Sequence, residues 1–170
     1  MLIWAAAACN RPEVEQPASA TTPYFSLEGY FNSEAARMQR EAPVIDKVVS
    51  KGGQPEHRTI QINNWHKELA LFTESDINKP AWRASYRVDS TASTLTYTSL
   101  DPKLRTARIT VEKRPDGTVK HIAVVNRVSN MLYQTEEQLD YYPDSVYRIN
   151  KQQQVRFIGE SRYMVSGTIQ

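Results

Sequence analysis

From Trp82 to the end of the chain, apolar and polar residues alternate in short runs, and only a few residues separate one run from the next. A parallel crossover needs a dozen or more residues, so runs joined this closely can pair only as antiparallel neighbours. Trp82, Ala84, Tyr86 and Val88 alternate with Arg83, Ser85, Arg87 and Asp89, which predicts a strand with one buried and one wet face. Thr94 to Ser99 and Arg105 to Lys113 follow, with Ala107, Ile109 and Val111 on one side. Pro115-Asp116-Gly117 turns the chain into Val119 to Val128, and Ser129-Asn130 turns it into Met131 to Tyr142. Tyr142-Pro143-Asp144-Ser145 bends into Val146 to Asn150, and Val155 to Ile158 and Arg162 to Ile169 complete a meander of about seven strands.

Ahead of the meander the period changes. Leu27, Phe31, Ala35 and Met38 recur at helical spacing, Ser26 can cap the start, and Pro43 stops the run. Val44-Ile45 and Val48-Val49 face Thr59 to Ile62 across Gly52-Gly53, a pair that accepts positive φ, and this predicts a hairpin. Trp65, Leu69 and Phe72 then form a second stripe behind an Asn cap and ahead of Pro80. A long antiparallel sheet twists and curls. The expected fold is therefore α+β: two N-terminal amphipathic helices and a hairpin packed on a curved, half-barrel-like antiparallel meander, all in one domain over 24–170. This layout resembles, in architecture, the carrier lipoproteins that escort other lipoproteins to the outer membrane, whose half-barrels hold acyl chains. The resemblance carries no individual residue over.

The N-terminus carries a different message. Met1-Leu2-Ile3-Trp4 and four alanines lead into Cys9, the only cysteine, and Asn10-Arg11-Pro12-Glu13 turns polar at once. A short apolar stub closed by small residues has the form of a truncated secretory leader over 1–8. Ala6-Ala7-Ala8-Cys9 resembles the lipobox of bacterial lipoproteins. That resemblance implies cleavage before Cys9, acylation of Cys9, and a place in the bacterial cell envelope, at the outer membrane or its periplasmic face. Two or more acyl chains hold a protein stably, whereas one does so only marginally. Residues 9–23, with Pro12, Pro17 and Pro23 among polar and small residues, read as a tether. The fourteen residues from Asn10 to Pro23 would span about 20 Å as coil and about 40 Å in extended polyproline form. No segment approaches the roughly 20 apolar residues of a membrane-spanning helix.

Composition narrows the function further. The net charge of +2 is dispersed, so the clustered basic footprint of a nucleic-acid binder is missing. With Cys9 acylated no thiol remains for disulfides, thiolate metal sites or cysteine catalysis. His57, His66 and His121 have no neighbouring ligand at metal-site spacing, and no cofactor is expected. Glu136, Gln138 and Asp140 share a strand face, better explained as solvated than as a calcium site, since no EF-hand loop accompanies them. Gly159-Glu160-Ser161-Arg162-Tyr163 fails the nucleophile-elbow pattern at its last position.

What remains is aromatic. Trp82, Tyr86, Tyr97, Tyr133 and Tyr141 fall on strands and would line a concave wall suited to a hydrophobic ligand, unless the helices fill that space. The sequence thus points to a non-enzymatic, lipid-anchored envelope domain that binds a protein partner or a hydrophobic ligand. The rival readings are an envelope hydrolase using Glu136, Asp140 or His121, and a purely structural lipoprotein.

Overall fold

The computed structural model describes residues 23–170. Cys9, the leader over 1–8 and the tether as far as residue 22 lie outside the described residues. The first element of the described residues is helix α1 (Leu27–Glu41). Its first turn is capped twice: the Ser26 hydroxyl accepts from the Gly29 N–H at 2.9 Å, and the Asp76 carboxylate accepts from Glu28 N–H at 2.9 Å. Leu27, Phe31, Ala35 and Met38 are fully buried along one side. The helix ends where Ala42 turns left-handed (φ 45°) and donates its N–H to the Met38 carbonyl, with Pro43 following.

Strands β1 (Val44–Lys51) and β2 (Glu56–Gln61) come next, then two single-turn helices, α2 (Trp65–Glu68) and α3 (Ala70–Thr73). A 3-10 turn (Pro80–Trp82) leads into β3 (Tyr86–Ser90), β4 (Thr94–Ser99), β5 (Thr106–Lys113) and β6 (Val119–Ser129). The chain finishes with β7 (Tyr133–Tyr142), β8 (Val146–Val155) and β9 (Gly159–Ile169). All nine strands form one antiparallel sheet in the order β2-β1-β9-β8-β7-β6-β5-β4-β3.

This corrects the expected fold class. The hairpin does not pack on a separate seven-stranded meander; it belongs to the sheet, because β1 pairs with the last strand, Ile45 opposite Ile169 through Lys51 opposite Tyr163. The final strand of a meander leaves a row of unpaired backbone groups, and β1 satisfies them. The sheet is open, with β2 and β3 at its edges.

The second amphipathic helix is also corrected. Leu69 sits at φ −94° and ψ 8°, which splits the segment into two four-residue turns. Trp65, Leu69 and Phe72 are nonetheless all fully buried. Burying each such side chain is worth about 1.5–3 kcal/mol, whereas a one-residue break in helix costs under about 1 kcal/mol. Core contacts therefore decide the path of this segment, not helix propensity. Two strand limits move as well. Trp82 lies in the 3-10 turn, so β3 starts only at Tyr86, and Arg156 to Ile158 form a turn between two long strands.

The core lies between the helical layer and one face of the sheet. Ile45, Ile109, Val111, Ile122, Val124, Leu139, Tyr141, Tyr147, Ile149 and Val165 meet the helix stripes there. Rings fill its centre: Phe31 stacks on Phe72 with centroids 4.6 Å apart, and Tyr141 meets both edge-on at 5.0 and 6.0 Å.

Candidate functional site

The side chains singled out in the sequence fall into three places. Tyr86 and Tyr97 are buried around Tyr24, which touches their rings edge-on at 5.9 and 5.5 Å and donates its hydroxyl to the Arg83 carbonyl. Trp82 flanks this group, half-buried beneath the Lys79 ammonium at 4.2 Å from its ring. Tyr141 lies apart, in the Phe31–Phe72 cluster, and Tyr133 sits at the far end of β7 opposite Val155. The structure thus gathers Trp82, Tyr86 and Tyr97 and separates them from Tyr141 and Tyr133.

The Tyr hydroxyls inside the core anchor helices to sheet. Tyr141 donates to Glu34, whose carboxylate also accepts from Arg37, and Arg37 reaches Asp144 in the β7–β8 turn at 2.7 Å. Tyr147 donates to Glu68 at 2.6 Å, and Lys47 closes on the same carboxylate at 2.6 Å. Burial and the acceptor carboxylates push both phenols far above their usual pKa. A third cluster centres on Glu137, which accepts from Arg105 at 2.8 Å, Lys151 at 3.0 Å and Asn126 at 3.3 Å. Burial alone would raise its pKa, but these cations outweigh burial and hold it below the usual carboxylate value.

Among the described residues the opposite face of the sheet carries no helix, and it presents the other half of each strand's alternation. Here β6 and β7 bring His121 and Asp140 together, with Nε2 2.9 Å from the carboxylate oxygen. The His121 Nδ1 lies 3.6 Å from Glu112, and the ring stacks on Tyr142 at 4.1 Å. Both imidazole nitrogens therefore face carboxylates, and neither is directed at an incoming substrate hydroxyl. Glu136, the other carboxylate of the hydrolase reading, accepts from Gln138 and from Arg127, and those bonds lower its pKa. A carboxylate so held is a poor general acid at neutral pH. Among the described residues no three His, Cys, Asp or Glu side chains form a metal-binding group.

The same face holds a groove of about 500 Å³. Glu136 and Gln138 of β7, Asn150 and Gln152 of β8, and Arg162 and Met164 of β9 line it, and Gly52 and Gly53 of the β1–β2 turn close one end. Register makes the groove: Glu136 stands opposite Gln152 and Gln152 opposite Arg162, so an acid, an amide and a cation line up across three strands. Its walls combine the apolar surfaces of Tyr163 and Met164 with polar groups that bond to one another: Gln138 donates to Glu136, and Gln152 and Arg162 both donate to Glu160. Of these residues only Glu136 and Gln138 stood out in the sequence; Asn150, Gln152 and Arg162 gain meaning only from cross-strand register. Among the described residues no helix is long and apolar enough to cross a membrane.

No protein-family model, curated protein or solved structure matches this chain.

Proposed function

We propose that this chain is a non-enzymatic binding domain of the bacterial cell envelope, held at a membrane by acylation of Cys9 and engaging a protein partner through the open face of its sheet. The leader Ala6-Ala7-Ala8-Cys9 and the polar segment behind it support the placement. One observation carries the binding role: among the described residues this face is left uncovered and keeps a groove of mixed polar and apolar lining between Glu136, Gln152, Arg162 and Met164. The inward rings, by contrast, pack on Tyr24, Phe31 and Phe72, which favours a protein partner over an enclosed hydrophobic ligand.

Two measurements test the two halves separately. A Cys9→Ser variant should leave the membrane fraction; fractionation identical to wild type overturns the anchor. A photo-crosslinking residue placed at Gln138 should give a discrete adduct in intact cells, lost when Arg162 is changed to Glu. An adduct indifferent to Arg162→Glu, or no adduct together with a lipid retained in native mass spectra, overturns the partner reading.

A further inference from the structure

Beyond the groove, the sheet continues as a blade that the helical layer does not reach. On β7 the last buried residue before the tip is Glu137, on β8 it is Ile149, and on β9 it is Val165; no residue from 151 to 164 is buried. From Glu137 to Tyr133 the strand runs four residues farther, roughly 13 Å at about 3.3 Å per residue. Two turns stand side by side at the end, joined by a bond of 2.9 Å from the Arg156 N–H to the Leu132 carbonyl. They carry Met131, Leu132, Phe157 and Ile158, which are 85, 70, 95 and 85% exposed.

The turns are built to hold these side chains outward. The Asn130 side-chain oxygen accepts from the N–H groups of both Leu132 and Tyr133 at 2.9 Å, which pins the first turn. In the second, Ile158 N–H bonds to the Val155 carbonyl, and Phe157 takes the third position at φ 70°. Gly or Asn ordinarily fills that position, and a bulky residue there is strained. Strain kept at an exposed tip points to a use for the ring it presents.

We infer that this tip inserts into the surface of an anionic phospholipid bilayer and orients the domain there, an inference that rests on the membrane placement proposed above. Two features select lipid over protein. Four apolar side chains on two narrow turns fall far short of the about 20 to 30 residues that one side of a standard protein interface uses, whereas a bilayer accepts isolated apolar points without a complementary shape. The charges agree: the two turns, Asn130 to Leu132 and Arg156 to Ile158, contain no acidic residue, and Arg156 lies over the Phe157 ring at 5.1 Å. At the same end of the sheet, Lys51 closes β1 and Lys103 stands on the β4–β5 connection, alongside the carboxylates of Glu56, Asp101 and Glu160, so the excess of cations is confined to the two tip turns and rests on Arg156. Apolar residues reaching the acyl boundary beneath cations at the headgroups is the arrangement that anionic lipid attracts.

The test uses the full chain carrying Cys9→Ser, so no acyl chain contributes, and vesicles of phosphatidylglycerol mixed with phosphatidylethanolamine. The protein should co-sediment with these vesicles and much less with pure phosphatidylcholine. Replacing Phe157 and Ile158 together by Ser should weaken partitioning by about ten-fold or more. Arg156→Gln should weaken it by about five-fold on the anionic vesicles, an effect that shrinks in high salt. A Phe157→Trp variant should shift its emission to the blue on binding and be quenched by brominated acyl chains. Absence of co-sedimentation, or tip variants that partition as the parent does, overturns the inference. Either result is independent of how Cys9→Ser fractionates in cells, so failure of the anchor and failure of the tip remain distinct.

Discussion

The ring of Tyr147 lies directly over Gly167 on the neighbouring strand: a Cβ at position 167 would stand 2.2 Å from the Tyr147 Cε1 and 2.4 Å from its hydroxyl oxygen. The glycine leaves the space that lets this tyrosine cross β9, meet Trp65 edge-on and reach Glu68. Gly167→Ala should destabilise the domain by about 1–3 kcal/mol, the usual cost of forcing extra atoms into a filled core. Urea unfolding measures it. A Gly167→Ala, Tyr147→Ala double variant should recover part of the steric penalty, whereas additive losses would mean that the two residues do not collide.

Acid should act through Glu137. Its carboxyl pKa is lower in the folded protein than in the unfolded chain, because Lys151 and Arg105 stabilise the anion. The unfolded state therefore binds the proton first, and the contribution is present above the ordinary carboxylate range and lost as pH falls through it. Glu137→Gln should cost about 1–3 kcal/mol at neutral pH, since it leaves Arg105 and Lys151 beside a buried neutral amide. The same variant should show a shallower loss of stability between pH 5 and pH 3, at about the pH where carboxylates titrate. Equal acid slopes for parent and variant would refute the assignment.

Alkali should act through the core phenols. Burial first, and Glu34 and Glu68 next, hold Tyr141 and Tyr147 protonated, and burial pushes Tyr86 up to about 12. A raised folded pKa means stability that is complete below the unfolded phenol value of about 10 and lost as pH rises above it. The part of the tyrosinate absorbance that belongs to Tyr141, Tyr147 and Tyr86 should thus appear only together with unfolding. Tyr141→Phe should cost about 1–2 kcal/mol at neutral pH through the lost bond to Glu34.

Local patterns in the sequence were legible where each element answers to its own neighbours. The stripe Leu27, Phe31, Ala35, Met38 and the turn at Pro115-Asp116-Gly117 need nothing from the rest of the chain. Pairing of β1 with β9 was not legible, because it joins residues more than a hundred positions apart and leaves no local periodicity. The His121–Asp140 contact was hidden for another reason: the two lie 19 positions apart across one hairpin, and only the β6–β7 register, with Ala123 opposite Asp140, sets them diagonally within reach. Val155 to Ile158 misled in the opposite way. An apolar run ordinarily signals burial, and here Phe157 and Ile158 belong to a turn exposed to solvent. Likewise the stripe Trp65, Leu69, Phe72 identified the buried side chains of the second helical segment and not its break at Leu69.

Phe157 offers the sharpest test of how that turn is held. A non-glycine residue in the left-handed region costs about 1–2 kcal/mol, and Asn tolerates it far better than an aromatic residue. An exposed contact between Arg156 and the ring returns only about 0.5–1 kcal/mol. Phe157→Asn should therefore stabilise the fold by about 0.5–1 kcal/mol in urea unfolding, although it removes a large apolar side chain. Phe157→Val, β-branched and ill-suited to positive φ, should destabilise it by a similar amount. A stabilising Asn substitution that also abolishes vesicle binding would separate the two roles of the position, with strain as the cost and the outward-facing ring as what the strain maintains. If Asn instead destabilises, the ring contributes contacts to the folded domain and the turn is not strained on the ring's account.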